Sequence, residues 1–572
     1  MRTLAIAMLL LAGCRNDGRY LGNNKPPSAQ RLVYINAYEP TVLDPAGNST
    51  FTDLGVQQCL FEGLTIINPV TSQPMAGMAT HYEVTADGEQ YTFYLRGHPH
   101  PKGNRLDDIS VLPTEFSHGV KPPPDSTPAR WSDGSLVTAA DFLYSLRRLV
   151  DPRTASSGAG DAVVILHARE ITAREMSPDQ LGVEAPDEFT LRVRLQGPAP
   201  YFLGLVASPD FLPVPRQAIQ RAVLRGLEDT WTRPGNIVTN GPFDLTESRA
   251  YDHLTTRRSR TYYESDLVKL GEITFANLGV GPPAINFYLA GFGQSMVDVA
   301  LPTVLIPALR QKRDLRVSPE LLLGYLAINM RRPPFDNRML RWALNMALDK
   351  RAIAAFQVGR PARQLIPDMP GFAPPESVMV EIQGRKYDVL AYDPAGAREL
   401  LARAGYPGGI GLDGKRLTFP INTPGRIDLP QIISHQWLVN LNIEAQVNLV
   451  EAAVLSDGVM SGTLPGLTLD GWGLNYADPI ALLGPAFTAD WLGWHDEAYT
   501  AQLTAANGTL DPSARMQKLS RCAALLMEAM PLIPFSFRSD IRVTKPYVRA
   551  LETDLLGNPS FRYTWIDTGW KP

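Results

Sequence analysis

The chain of 572 residues is poor in cysteine, in surplus positive charge and in long apolar runs. Three cysteines are too few for a disulfide scaffold or a zinc centre built mainly of thiolates. The 54 Lys and Arg against 58 Asp and Glu leave a formal charge of −4. So balanced a chain lacks the clustered cations that phosphate backbones require, which argues against a nucleic-acid partner. No stretch reaches the ~18 consecutive apolar residues of a membrane span. What is abundant is proline: 49 residues, about 9% against a usual ~5%, as in a turn-rich body. With 44% hydrophobic residues there is ample material for a core. The length fits several domains or one large two-lobed body.

Motifs that carry chemistry are also missing. There is no Gly-x-Ser-x-Gly elbow and no His-Glu-x-x-His pair. The segment Gly409-Ile410-Gly411-Leu412-Asp413-Gly414-Lys415 matches a glycine-rich dinucleotide pattern and most of a phosphate loop. A phosphate cradle needs a strand before it and a helix after it, so that helix N–H groups face the anion. Here a predicted helix precedes and a strand at Leu417–Phe419 follows, and Arg416 stands where Ser or Thr would hold magnesium. A plain helix-to-strand turn is predicted. His98, His100 and His118 are read as members of a solvated loop rather than metal ligands, and Cys59 and Cys522 as buried free thiols. No cofactor and no metal are expected.

The first residues set the compartment. Met1-Arg2 is positive, Leu4 to Leu11 is apolar, and Leu11-Ala12-Gly13-Cys14 follows. This is the layout of a secretory signal, too short to span a bilayer. The ending resembles a bacterial lipoprotein signal. That resemblance implies removal of residues 1–13, lipid on Cys14, and a place in the periplasm or cell envelope. Residues 14–30, rich in Asn, Gly, Lys, Pro and Ser, are predicted as a flexible tether.

Along the body, strands are predicted at 32–35, 91–95, 188–195 and 445–450. Helices are predicted at 53–64 (with Leu54, Cys59 and Leu60 as a buried stripe), at 139–150 capped by Thr138, at 339–358, 394–404 and 512–529, and around Trp437. Residues 97–130, rich in Pro, Gly and charge, read as a long surface loop, a decoration or a partner surface. Mixed strands and helices without a strict repeat mean α/β or α+β.

The block Trp131-Ser132-Asp133-Gly134-Ser135-Leu136-Val137-Thr138-Ala139-Ala140-Asp141-Phe142 has a local explanation, a turn followed by a capped helix. It also resembles the signature of the family 5 extracellular solute-binding proteins, the peptide-binding components of ABC importers. Further blocks occur in the same order. They include Leu43-Asp44-Pro45, Leu60-Phe61-Glu62-Gly63-Leu64, Pro333-Pro334-Phe335, Ala347-Leu348-Asp349-Lys350, Gly471-Trp472 and Tyr476-Ala477-Asp478-Pro479. The resemblance implies an α/β fold, a two-lobed periplasmic-binding-protein clamshell with an extra subdomain. One lobe would be 31–61, 215–321 and 541–572, with the subdomain at 62–214; the other would be 322–540. It implies a monomer that encloses a peptide or small polar solute and hands it to ABC permease subunits, with no chemistry of its own.

The ligand-binding positions so implied are Ser49, Phe51, Asp53, Tyr325, Asn329, Trp472, Gly473, Asn475, Tyr476 and Asp478. The carry-over is incomplete. Where the family's peptide binders place an aspartate for the ligand's α-ammonium, this chain has Asn475. Leu469 stands at a place for arginine, Ser49 at an acidic place and Val454 at a place for tryptophan. An enclosed ammonium needs a charged partner, and asparagine supplies only a carbonyl. Either Asp53, Asp470 or Asp478 supplies the charge, or the ligand is a modified peptide or another polar solute. Two rival readings are a secreted hydrolase and a receptor or chaperone-like lipoprotein without an importer.

Overall fold

The computed structural model describes residues 18–36, 38–47, 51–227, 230–297, 305–367, 369, 371–425, 427–484 and 492–571. The chain divides into two compact units. The first runs up to Ser318 and resumes at Asp540; the second is Pro319–Ser539. Each is described by itself.

In the first unit, Arg31–Asn36 is a central strand, paired in parallel with Glu272–Asn277 and with Ser295–Val297. Leu32 and Tyr34 on one face and Ile35 on the other are all buried, as in a strand covered on both sides. The hairpin Phe243–Arg249 and His253–Arg258 extends one side. Arg542–Thr544 closes the other by antiparallel pairing with Ser295–Val297. A second sheet, of five antiparallel strands, orders Asn104–Arg105, Ala79–Val84, Gln90–Leu95, Thr190–Arg194 and Val183–Asp187. Helix Ala139–Val150 buries Phe142, Leu146 and Leu149 in this part of the unit.

Several blocks of the family signature prove to be fastenings. The Asp141 carboxylate reaches back to the Thr138 N–H and hydroxyl, both at 3.0 Å, and accepts the Trp131 indole N–H at 3.3 Å. Asp44 takes a bidentate pair from Arg148 and the Trp231 indole N–H at 3.2 Å. Glu62 accepts the hydroxyls of Tyr262 and Tyr263 and the Arg562 guanidinium at 2.8 Å. Arg562 also binds Glu264, whose second oxygen lies 3.9 Å from buried Arg96. Two carboxylates and two guanidiniums balance, which is the condition for keeping ions in a core.

The second unit is built on Leu467–Gly473. This strand runs antiparallel to residues 322–328 and parallel to Thr418–Thr423, which pairs in parallel with Glu444–Leu449. Helices Arg338–Met346, Pro394–Arg403, Asp428–Leu441 and Pro512–Ala529 belong to this unit. Buried Trp437 donates to Leu344 O at 2.9 Å, and Arg341 donates to the terminal carbonyls Ala529 O and Met530 O of the last helix. Orphan carbonyls at a helix end need such donors.

Four expectations need correction. The helix predicted at 339–358 is two helices, because the Asp349 carboxylate caps a new start at Lys350–Gln357. The helix predicted at 53–64 is Phe51–Leu60, and Leu54 is only half-buried beside buried Cys59 and Leu60. The loop 97–130 is not merely on the surface. Its Ile109, Leu112 and Phe116 are buried in a cluster with Met75, Leu267, Ala550 and Tyr563. The tether is packed from Gly18 onward, with Leu21 and Asn24 buried; residues 14–17 lie outside the described residues. By contrast, Gly409–Lys415 is the expected turn. Gly409 and Gly414 have positive φ, and the Asp413 carboxylate accepts the Lys415 N–H at 3.0 Å.

Candidate functional site

The strand Leu467–Gly473 changes character half-way. Leu467, Thr468 and Leu469 are buried, and then Asp470, Gly471 and Gly473 surface. Its register sets Asp470 opposite Tyr325 and Gly471 opposite Gly324. Gly324 is required there, since a Cβ would lie 2.6 Å from the Phe535 ring. Tyr325 is buried, and its hydroxyl donates to Asp470 Oδ2 at 3.1 Å. The Gly471 N–H donates to Oδ1 at 2.8 Å.

Although Asp470 as a residue is exposed, protein crowds its carboxyl. That desolvation raises its pKa above the ordinary value, and the two donors offset the rise only in part. Burial, reinforced by the neighbouring Asp470, pushes the Tyr325 phenol well above its ordinary value. Among the described residues no cation forms an ion pair with Asp470.

The other nominated carboxylates are engaged within the protein. Asp53 is fully buried in the first unit, and its Oδ1 accepts the N–H groups of Thr41 and Val42 at 2.7 and 3.0 Å. Asp478 is buried in the second unit and meets Arg515 in a fork at 2.6 and 2.9 Å. It also accepts the Ile480 N–H at 3.0 Å, so the Tyr476-Ala477-Asp478-Pro479 turn is latched to helix Pro512–Ala529.

Trp472 is half-buried, Gly473 and Asn475 are exposed, and Tyr476 is buried. Asn329 clamps a loop, its amide donating to Gly462 O and Leu464 O at 2.8 and 2.9 Å. Leu469 is buried and Val454 exposed. Ser49 and the Phe51 side chain lie outside the described residues. The second unit thus gathers Tyr325, Asp470 and Trp472 on one pair of strands, with Asn475 two residues beyond the strand end. Sequence reasoning missed Gly324 and Arg515, and no local signal marks Arg515 as the partner of Asp478, 37 residues away. Among the described residues no group of three His, Cys, Asp or Glu could hold a metal ion, and no helix is long and apolar enough to cross a membrane.

A profile of the bacterial extracellular solute-binding proteins, family 5, matches residues 128–494. This chain belongs to that family. Family 5 members bind solutes outside the cytoplasm, so the chain is an extracytoplasmic binder and not an enzyme. It is 28% identical to the probable deoxycholate-binding periplasmic protein YgiS of Escherichia coli, over 92% of this chain and 91% of that one. It is likewise 28% identical to the periplasmic murein peptide-binding protein MppA of the same organism, over 91% of this chain and 90% of that one. The solved structure of MppA superposes with a TM-score of 0.72 at 26% identity, covering 95% of this chain and 99% of that one. The fold is therefore the α/β periplasmic-binding-protein fold expected for family 5.

Proposed function

We propose that this family 5 protein captures oligopeptides or closely related cationic solutes and delivers them to an ABC permease by closure of its two units, while lipid on Cys14 anchors it. Cys14 lies outside the described residues. The observation that carries the ligand class is Asp470, a crowded carboxylate that the described part of its own chain does not neutralise. It sits five residues before Asn475, in the segment where the family's peptide binders hold the ligand's amine. An ammonium brought to it gains a partner that Asn475 cannot supply. A peptide backbone pairs with strand edges whatever its side chains, and bridging waters make the pockets tolerant. Closure gives the permease a shape distinct from the open one.

A second reading, a non-peptide solute, is favoured by Asn475 itself and by the likeness to a deoxycholate binder. Titration calorimetry separates the two. Free-amine peptides should bind, and N-acetylation should weaken them by about 2–3 kcal/mol, or roughly 30–100-fold, as the loss of one partner of a charged hydrogen bond does. Binding of deoxycholate with no binding of any peptide overturns the first reading and establishes the second.

A further inference from the structure

The packed beginning of the described chain bears on how the protein meets a membrane. The Leu21 N–H donates to buried Asp314 at 3.0 Å, and its carbonyl accepts the Nζ of fully buried Lys545 at 2.7 Å. The Asn23 N–H donates to Leu289 O at 2.8 Å, and the Arg313 N–H to Arg19 O at 2.9 Å. Lys312 Nζ binds Gly18 O, and the Tyr20 ring meets Trp570 edge-on at 5.5 Å. Gly22 has a φ of +58°, and a Cβ there would collide with Leu289 O at 2.1 Å. This is a built mooring, not a chance drape.

From Cys14 to Gly18 there are four residue steps, a reach of at most ~14 Å. Around the mooring, Arg19, Arg310 and Arg313 are exposed and Lys312 partly so. Phe292 is 64% exposed, next to Gly291, which packs against Asn23. Two carboxylates of this part of the first unit are engaged: Asp314 is buried and also accepts the Tyr288 hydroxyl at 2.7 Å, and Asp567 pairs with Arg549 at 3.5 Å.

Building on the lipid-anchored reading above, we propose that this strip is a bilayer-facing surface. The short leash holds Phe292, Arg310, Lys312 and Arg313 against anionic lipid headgroups, and so fixes which side of the first unit faces the membrane. Attraction of Lys and Arg to an anionic leaflet dies away within about 8 Å, so it acts only on groups kept close. An aromatic side chain beside basic residues suits the headgroup boundary. A long flexible tether would average all orientations, whereas four residues cannot.

The test uses the lipidated chain, reconstituted into vesicles of phosphatidylcholine and phosphatidylglycerol, with one added thiol. Phe292→Cys probes the strip, and Leu412→Cys, fully exposed in the second unit, is the control. Native Cys59 and Cys522 are buried and stay silent. A membrane-impermeant maleimide should label Phe292→Cys about tenfold more slowly on vesicles than in detergent, and Leu412→Cys equally in both. Adding Lys312→Glu and Arg313→Glu, or inserting a ~20-residue Gly-Ser segment before Gly18, should restore labelling. Equal labelling of Phe292→Cys on vesicles and in detergent overturns the proposal. So does protection that appears without lipid, which would mark a protein contact instead. The mass of the N-terminal peptide separates the two readings. Lipid on Cys14 with an unprotected Phe292→Cys removes only the orientation, whereas absent lipid removes the anchor itself.

Discussion

Asp141 and Asp470 are both crowded aspartates bonded to an aromatic side chain, one on each unit. Burial raises the pKa of both, and hydrogen bonds offset part of the rise. Asp141 has three donors from its own neighbourhood, two of them on the helix cap it completes. Asp470 has two donors, an exposed position and no cation among the described residues. The first carboxylate is consumed in folding; the second is left over for something else. Asp478 is a third state, neutralised outright by Arg515. Three aspartates of one chain are therefore held in unlike ways, and only their partners tell them apart.

Breaking the neutralised state should have the largest effect. Asp478→Asn strands the buried Arg515 guanidinium and should cost about 3–5 kcal/mol of stability, read by urea unfolding of the ligand-free protein. Asp141→Ala removes the cap and leaves the Trp131 indole unbonded. A loss of about 2–3 kcal/mol is expected, with ligand affinity unchanged by calorimetry. Asp470→Asn should show the reverse pattern: stability within about 0.5 kcal/mol, but cationic ligands weakened by about 2 kcal/mol. If Asp470→Asn destabilises the protein as much as Asp141→Ala does, the contrast between them collapses. Tyr325→Phe should be the mildest, near 1 kcal/mol in the same ligand titration, because Asp470 keeps the Gly471 donor.

Titration sharpens the same contrast. Because the Asp470 pKa is raised, its protonated form is favoured in the folded state. The stability this gives the ligand-free protein is full below the ordinary carboxylate range near 4 and is lost as pH rises through the raised value. Affinity for a cation runs the other way and falls as pH drops through that value. Calorimetry between neutral pH and about pH 4 should show the affinity loss beginning above the usual carboxylate range, and Asp470→Asn should abolish this dependence.

Much of the secondary structure was legible where chemistry is local. Asp393 with Pro394, and Asp511 with Pro512, announce helix starts that need no distant partner. The 97–130 segment was not legible. Pro and charged residues separate its apolar side chains, so no periodicity shows, and its core partners Leu267, Ala550 and Tyr563 lie far away in sequence. The mooring of residues 18–24 was hidden for the same reason, since Asp314, Leu289 and Lys545 supply its bonds. At the site, the sequence could nominate three carboxylates. Sorting them required Arg515, Tyr325 and the N–H groups of Thr41 and Val42.

The second unit is an unbroken insertion, Pro319–Ser539, within the first. Ser295–Val297 must wait for Arg542–Thr544 to complete its sheet, and Glu62 must wait 500 residues for Arg562. During export the inner unit can therefore finish while the outer one is still an open half with an uncovered strand edge and an unneutralised core. Such half-built states are where chains aggregate. The segment from Asp540 onward acts as a closing clasp for the first unit, so removing it should leave Ser295–Val297 and Glu62 without their partners.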